Sequence, residues 1–135
     1  MPGQKTIDVS QLQDETRVGS MSPPSAIARV PLFTADRDMW LNQAWFRGPT
    51  ESDGETYTLY KVGPGVAMND VAEVALTDAV EVHSSNASWA ANTKFDWTID
   101  TDNNFIPAGT LVYVESSTTF GNGASINWRT TTRRQ

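Results

Sequence analysis

Nowhere does this chain hold a helical hydrophobic period for long: its apolar and aromatic residues come in short runs cut by Gly, Pro, Asn and Asp. Such a chain can bury its side chains only by stacking short strands, which predicts an all-β fold. Residues 27–33 (IARVPLF) open the series, and Pro31, which has no amide to give to a ladder, argues for an edge strand or a bulge. Residues 39–46 (MWLNQAWF) alternate only in part. Trp40 adjoins Leu41 and Trp45 adjoins Phe46, so both faces carry aromatics, as in a strand covered on both sides or by a partner subunit. After a turn at Asp53-Gly54, residues 56–62 (TYTLYKV) place Tyr57, Leu59 and Lys61 on one face and Thr58, Tyr60 and Val62 on the other. Gly63-Pro64-Gly65 stops that run.

Residues 69–83 are ambiguous. Val71, Ala72, Ala75, Leu76 and Ala79 would share a helical face, whereas Val74 and the alternating Val80-Glu81-Val82 favour strands. We read one or two short strands broken at Thr77-Asp78, with a helix over 70–76 as the alternative. Residues 84–92 are loop-like around Trp89. Residues 93–99 set Phe95, Trp97 and Ile99 on one face, and strands at 110–115 and 124–130 follow turns at Pro107-Ala108-Gly109 and 118–123. This amounts to seven to nine strands with no visible repeat, hence a β-sandwich or barrel.

Residues 1–25 differ from the rest. They hold Pro2, Gly3, Gly19, Pro23 and Pro24 and no aromatic residue, too little apolar surface to order alone. We expect an extended arm over 1–25 and a sandwich domain over 26–135. The arm is either a frayed end or a segment that orders on a neighbour, with Ile7, Val9 and Leu12 as its contact residues.

Composition removes much chemistry. With no cysteine there are no disulfides or thiolates, and one histidine, His83, rules out multi-histidine metal sites. A net charge of −6 argues against nucleic acid as a partner, and no apolar run reaches the ~18 residues of a membrane span. The first 20 residues do not read as a signal peptide. Asp100-Thr101-Asp102-Asn103-Asn104 begins like a calcium loop, but Phe105 and Leu111 stand where glycine and glutamate belong, so a polar turn is the better reading. Residues 51–102 carry ten acids against Lys61 and Lys94, the mark of a solvated acidic face rather than of a catalytic pair. His83 beside Ser84 and Ser85 is no catalytic geometry, and the Asn86-Ala87-Ser88 sequon has meaning only on a secretory route. No enzyme, cofactor or metal is therefore expected. Trp40, Trp45, Trp97 and Trp128 suit a core or an interface. Arg129, Arg133 and Arg134 form a basic end, either a solvated tail or a short contact with an acidic neighbour.

A recurring order runs through residues 56–130. A strand ends in Gly63-Pro64-Gly65, and an Ala/Thr/Asp-rich segment leads to the Phe95/Trp97 stripe. Then Ile106-Pro107-Ala108-Gly109-Thr110-Leu111 turns into an aliphatic strand, and a last strand follows a Gly-rich turn. This order resembles the small jelly-roll virion proteins of tailed bacteriophages, of the capsid decoration or cement type; Thr110 stands where those often carry an acid. The resemblance implies a jelly-roll β-sandwich with an N-terminal arm, made in the host cytoplasm and placed on the head surface. It further implies a homotrimer bound to the major capsid protein, without nucleic acid or membrane as partner. Trp40, Trp45 and Phe46 are then expected at a subunit interface. The alternative is a sugar- or receptor-binding module of a tail fibre, with Trp89, Tyr60 and the 100–104 loop as its ligand site.

Overall fold

The computed structural model describes residues 15–49, 54–82 and 94–132. They form ten strand segments and, among the described residues, no helix. The strands are β1 (Thr16–Met21), β2 (Arg29–Thr34), β3 (Met39–Arg47), β4 (Thr56–Val62), β5 (Val74–Ala75), β6 (Val80–Glu81), β7 (Lys94–Asp96), β8 (Phe105–Ile106), β9 (Leu111–Ser116) and β10 (Ser125–Thr131).

One sheet runs β1-β10-β3-β7, with β8 also on β3; the other runs β2-β9-β4-β5, with β6 also on β4. Every pairing is antiparallel. Counting β5 with β6 and β7 with β8 as interrupted strands leaves eight, and their pairing is nested. First joins last, second joins next to last, and so on inward to the hairpin of β4 with β5 and β6. A long hairpin folded over on itself in this way is a jelly roll. The expected fold class is what forms.

The two sheets bury a core of alternating inward residues. Tyr57 and Leu59 of β4 lie beside Val112 and Val114 of β9 in one sheet and pack in the same core as Phe46, Ile126 and Trp128 of the other. Aromatic rings occupy its centre: Phe46 contacts Tyr57, Phe95 and Trp97 at centroid distances of 4.9, 4.9 and 4.7 Å. The polar tips inside are served. The Trp97 indole Nε1–H donates to the Tyr57 carbonyl at 2.9 Å, and the Tyr57 hydroxyl donates to the Phe120 carbonyl at 2.5 Å.

A bulge explains the partial alternation of β3. Arg129 pairs with Gln43 but Thr130 pairs with Leu41, so Asn42 is an extra residue that shifts the phase. Met39 and Leu41 before it and Ala44 and Phe46 after it all point inward. Trp40 and Trp45 are thereby brought to the same outer face. Asn42 donates its side-chain amide to Thr131 Oγ1 at 2.6 Å, and Asn104 closes the neighbouring backbone, its amide nitrogen donating to the Leu41 carbonyl at 2.9 Å. In β2 the register shifts between Pro31 and Phe33, so the strand is both an edge and bulged, as Pro31 foretold.

Two expectations need correction. Residues 16–21, assigned from sequence to the arm, form β1 and pair along their length with β10, which supplies the backbone partners the segment cannot provide alone. The ends of the described chain meet here: the Glu15 amide donates to Thr132 Oγ1 and the Thr132 amide to the Glu15 carbonyl, both at 3.0 Å. Phe46, expected at a subunit interface, is fully buried within its own chain, because the bulge turns it to the core. Residues 74–75 and 80–81 are the two short strands, broken at Thr77-Asp78 as read, and the helical alternative over 70–76 is not adopted. Thr77 holds the break in place, its Oγ1 accepting the Leu59 amide at 3.1 Å and donating to the Asp78 carbonyl at 2.9 Å.

Candidate functional site

The outward faces of the two sheets differ. On the β2-β9-β4-β5 sheet, Tyr60 stacks on Tyr113 at 5.6 Å, yet Tyr113 is wholly buried, because residues 66–73 fold over it. The Asn69 amide donates to the Tyr113 hydroxyl at 2.9 Å, and that hydroxyl is bonded in turn to the Glu73 carboxylate. Burial, then the nearby Glu115, pushes the Glu73 carboxyl above its ordinary value; Arg29 holds Glu115 at 2.6 Å and opposes the shift. Tyr60, expected as a ligand contact, lends a face to this internal stack. Its proposed companion Trp89 lies outside the described residues, as do His83, Arg133 and Arg134.

The outer face of the β1-β10-β3-β7 sheet is partly exposed. Along its outer face Trp40 packs against Phe105 at 4.8 Å, and Lys94 Nζ sits 5.3 Å from the Trp45 ring centroid, a cation–π contact. Phe105 remains 37% exposed, and Val18 on β1 68% exposed. Arg129 lies between Val18 and Gln43, and its Nε is buried with no partner among the described residues. Side chains from four strands thus combine two tryptophans, a phenylalanine, a valine and an arginine on one outward surface. Trp40 and Trp45 were singled out from sequence; Val18 and Phe105 were not, since nothing local marks either as outward.

The Asp100 turn is self-contained. Asp100 Oδ1 accepts the Asp102 amide at 3.0 Å, and its Oδ2 accepts the Asn103 side-chain amide at 2.8 Å. These bonds, the one from Asn103 first, hold the Asp100 carboxyl below its ordinary value. Among the described residues no group of three or more His, Asp or Glu side chains is placed to hold a metal ion. The arm residues Ile7, Val9 and Leu12 lie outside the described residues.

No family model matches the chain, and no curated protein matches it. Among solved structures it is similar to a chain of the capsid of Ralstonia phage GP4, with a TM-score of 0.46 and 16% identity over 87% of this chain and 82% of that one. It is also similar to a chain of infectious bursal disease virus, Gx strain, with a TM-score of 0.40 and 15% identity, covering 87% of this chain but 33% of that one. The chain therefore spans about a third of the length of that second structure. With TM-scores below 0.5 these are likenesses of strand arrangement, and function is argued from this molecule's own surfaces.

Proposed function

We propose that this protein is a non-enzymatic structural component of a tailed-phage virion, a decoration or cement protein on the head surface. It acts as a homotrimer that binds across neighbouring subunits of the major capsid protein. The observation that carries the reading is the partly exposed aromatic outer face of the β1-β10-β3-β7 sheet. Trp40, Phe105, Trp45 and Val18 offer apolar and aromatic surface of the kind enriched at protein interfaces, and a buried Arg129 Nε there lacks a partner among the described residues. The sandwich supplies a rigid platform, and the segment before Glu15, with Ile7, Val9 and Leu12, reaches a neighbour and orders on docking. Ordering costs entropy, which the apolar surface buried on the shell must offset. Many copies then reinforce a shell through repeated weak contacts.

Sedimentation at several concentrations, followed by co-sedimentation with empty capsids, tests this. The wild type should be a trimer and pellet with capsids; the double variant Trp40→Ala, Phe105→Ser should be a folded monomer; removal of residues 1–14 should abolish pelleting without unfolding. A wild type that stays monomeric and never pellets with capsids sinks the proposal.

A further inference from the structure

Along one side of the sandwich both sheets end in open edges, β1 on one and β2 on the other. Between them lies a cavity of about 440 Å³, within the range of small-molecule pockets. Its inner wall is aromatic: Trp128 stacks on Phe33 with centroids 5.5 Å apart and planes inclined by 25°. Gly19 lets the indole lie there, since it pairs with Trp128 across the sheet while the small Ala44 pairs on the other side.

Two polar groups of the cavity are free to meet an occupant. Trp128 is 8% exposed and Thr130 is 2% exposed, yet neither the indole Nε1–H nor the Thr130 hydroxyl makes a hydrogen bond among the described residues. Among the described residues the buried unpaired side-chain polar atom is Arg129 Nε, so these two groups are not sealed in but open into the cavity, where water or a ligand hydroxyl can meet them. Thr34 adds a further hydroxyl at the rim.

The rim also limits the charge of an occupant. Arg17 and Asp36 line it and are joined at 2.7 Å; Arg17 also holds Glu15 at 2.9 Å, and Glu15 holds Arg37 at 2.9 Å. Two cations and two anions cancel, so the mouth has no net charge to draw in an ion. A purely apolar occupant would leave the Trp128 and Thr130 groups unpaired. What suits both is an uncharged ring with a C–H face for the aromatic wall and hydroxyls for the unpaired groups. The joined Arg17 and Asp36 present donors and acceptors side by side, the pattern that adjacent hydroxyls of such a ring can bridge.

We propose that the cavity between β1 and β2, walled by Trp128 and Phe33 and lined by Thr130, Thr34, Arg17 and Asp36, is a binding site for a neutral pyranose sugar. It lies at the edge of the sandwich and shares Val18, but none of the aromatic residues, with the outer face. The site can therefore be real whether or not the protein sits on a capsid.

Saturation-transfer NMR on the full chain tests it, with glucose, galactose, mannose and N-acetylglucosamine each offered alone and cyclohexanol as an apolar ring of similar size. At least one sugar should receive magnetisation, and Thr130→Val and Trp128→Phe should each weaken its binding about tenfold, the loss of one hydrogen bond. Thr34→Val, on the exposed rim, gives the same reading should either core substitution fail to fold. Transfer to none of the four sugars overturns the proposal. So does binding of cyclohexanol in their place, or sugar binding that all three substitutions leave unchanged.

Discussion

Gly19 lies directly against the indole of Trp128: a methyl group built at residue 19 would meet ring atoms Cε2 and Cζ2 at 2.3 Å. The two residues are paired across β1 and β10, so neither backbone can yield without disturbing the ladder. Gly19→Ala should therefore destabilise the fold by about 1–3 kcal/mol, the usual cost of overpacking a filled site. Urea denaturation measures it, and an unchanged midpoint would show that the ring moves aside freely.

Tyr57 should be equally sensitive for a different reason. Its ring is fully buried and its hydroxyl is bonded to the Phe120 carbonyl. Tyr57→Phe keeps the packing but strands that carbonyl, costing about 1–3 kcal/mol. Thermal unfolding of the pair of proteins would read the difference.

The Asp100 turn gives a pH dependence with a definite sign. Its carboxyl titrates below the ordinary value of 3.8 in the folded protein, chiefly through the Asn103 side chain. A depressed carboxyl contributes stability above its unfolded value and loses it as pH falls through the folded one. Asp100→Ala should therefore cost more at a pH of about 7 than at about 2, where the wild type has lost the same contribution. Melting temperatures of both proteins across that range decide it; a constant gap would mean the ionised carboxylate is not what holds the turn.

Much of the fold was legible because β4, β9 and β10 are short β-prone runs bounded by turn residues, and Pro31 pointed to an edge or a bulge. What escaped the sequence was decided by residues far away in the chain. Strand β1 has no aromatic residue and looks like a loose arm; it becomes a strand only because β10 lies alongside and Gly19 makes room for Trp128. Trp40 and Trp45, five apart, would sit on opposite faces of an ideal strand. One extra residue, Asn42, places them together and sends Phe46 inward. The edge cavity was invisible for a deeper reason, since a missing hydrogen-bond partner at Trp128 or Thr130 is a property of the folded surroundings and leaves no mark in the local pattern.

Asn69 carries the remaining local prediction. It is the described non-glycine residue with positive φ, 66°, in the segment that covers Tyr113. Asn tolerates this region, so Asn69→Gly should be close to neutral, whereas Asn69→Val should lose about 1–2 kcal/mol to backbone strain. Chemical denaturation of both variants checks the order, and equal losses would point to the asparagine side chain instead.

The meeting of Glu15 with Thr132 has a mechanical consequence. Because β1 and β10 are antiparallel and the chain enters and leaves at the same end of that pair, a pull on the two ends would part Thr16 from Thr131 first, then Arg17 from Thr130, rung by rung. Strands drawn apart in this way yield like a zip, at far lower force than strands made to slide past one another. A load borne across the faces of the sandwich would meet its packed core, while a load borne through its two ends would meet one rung at a time.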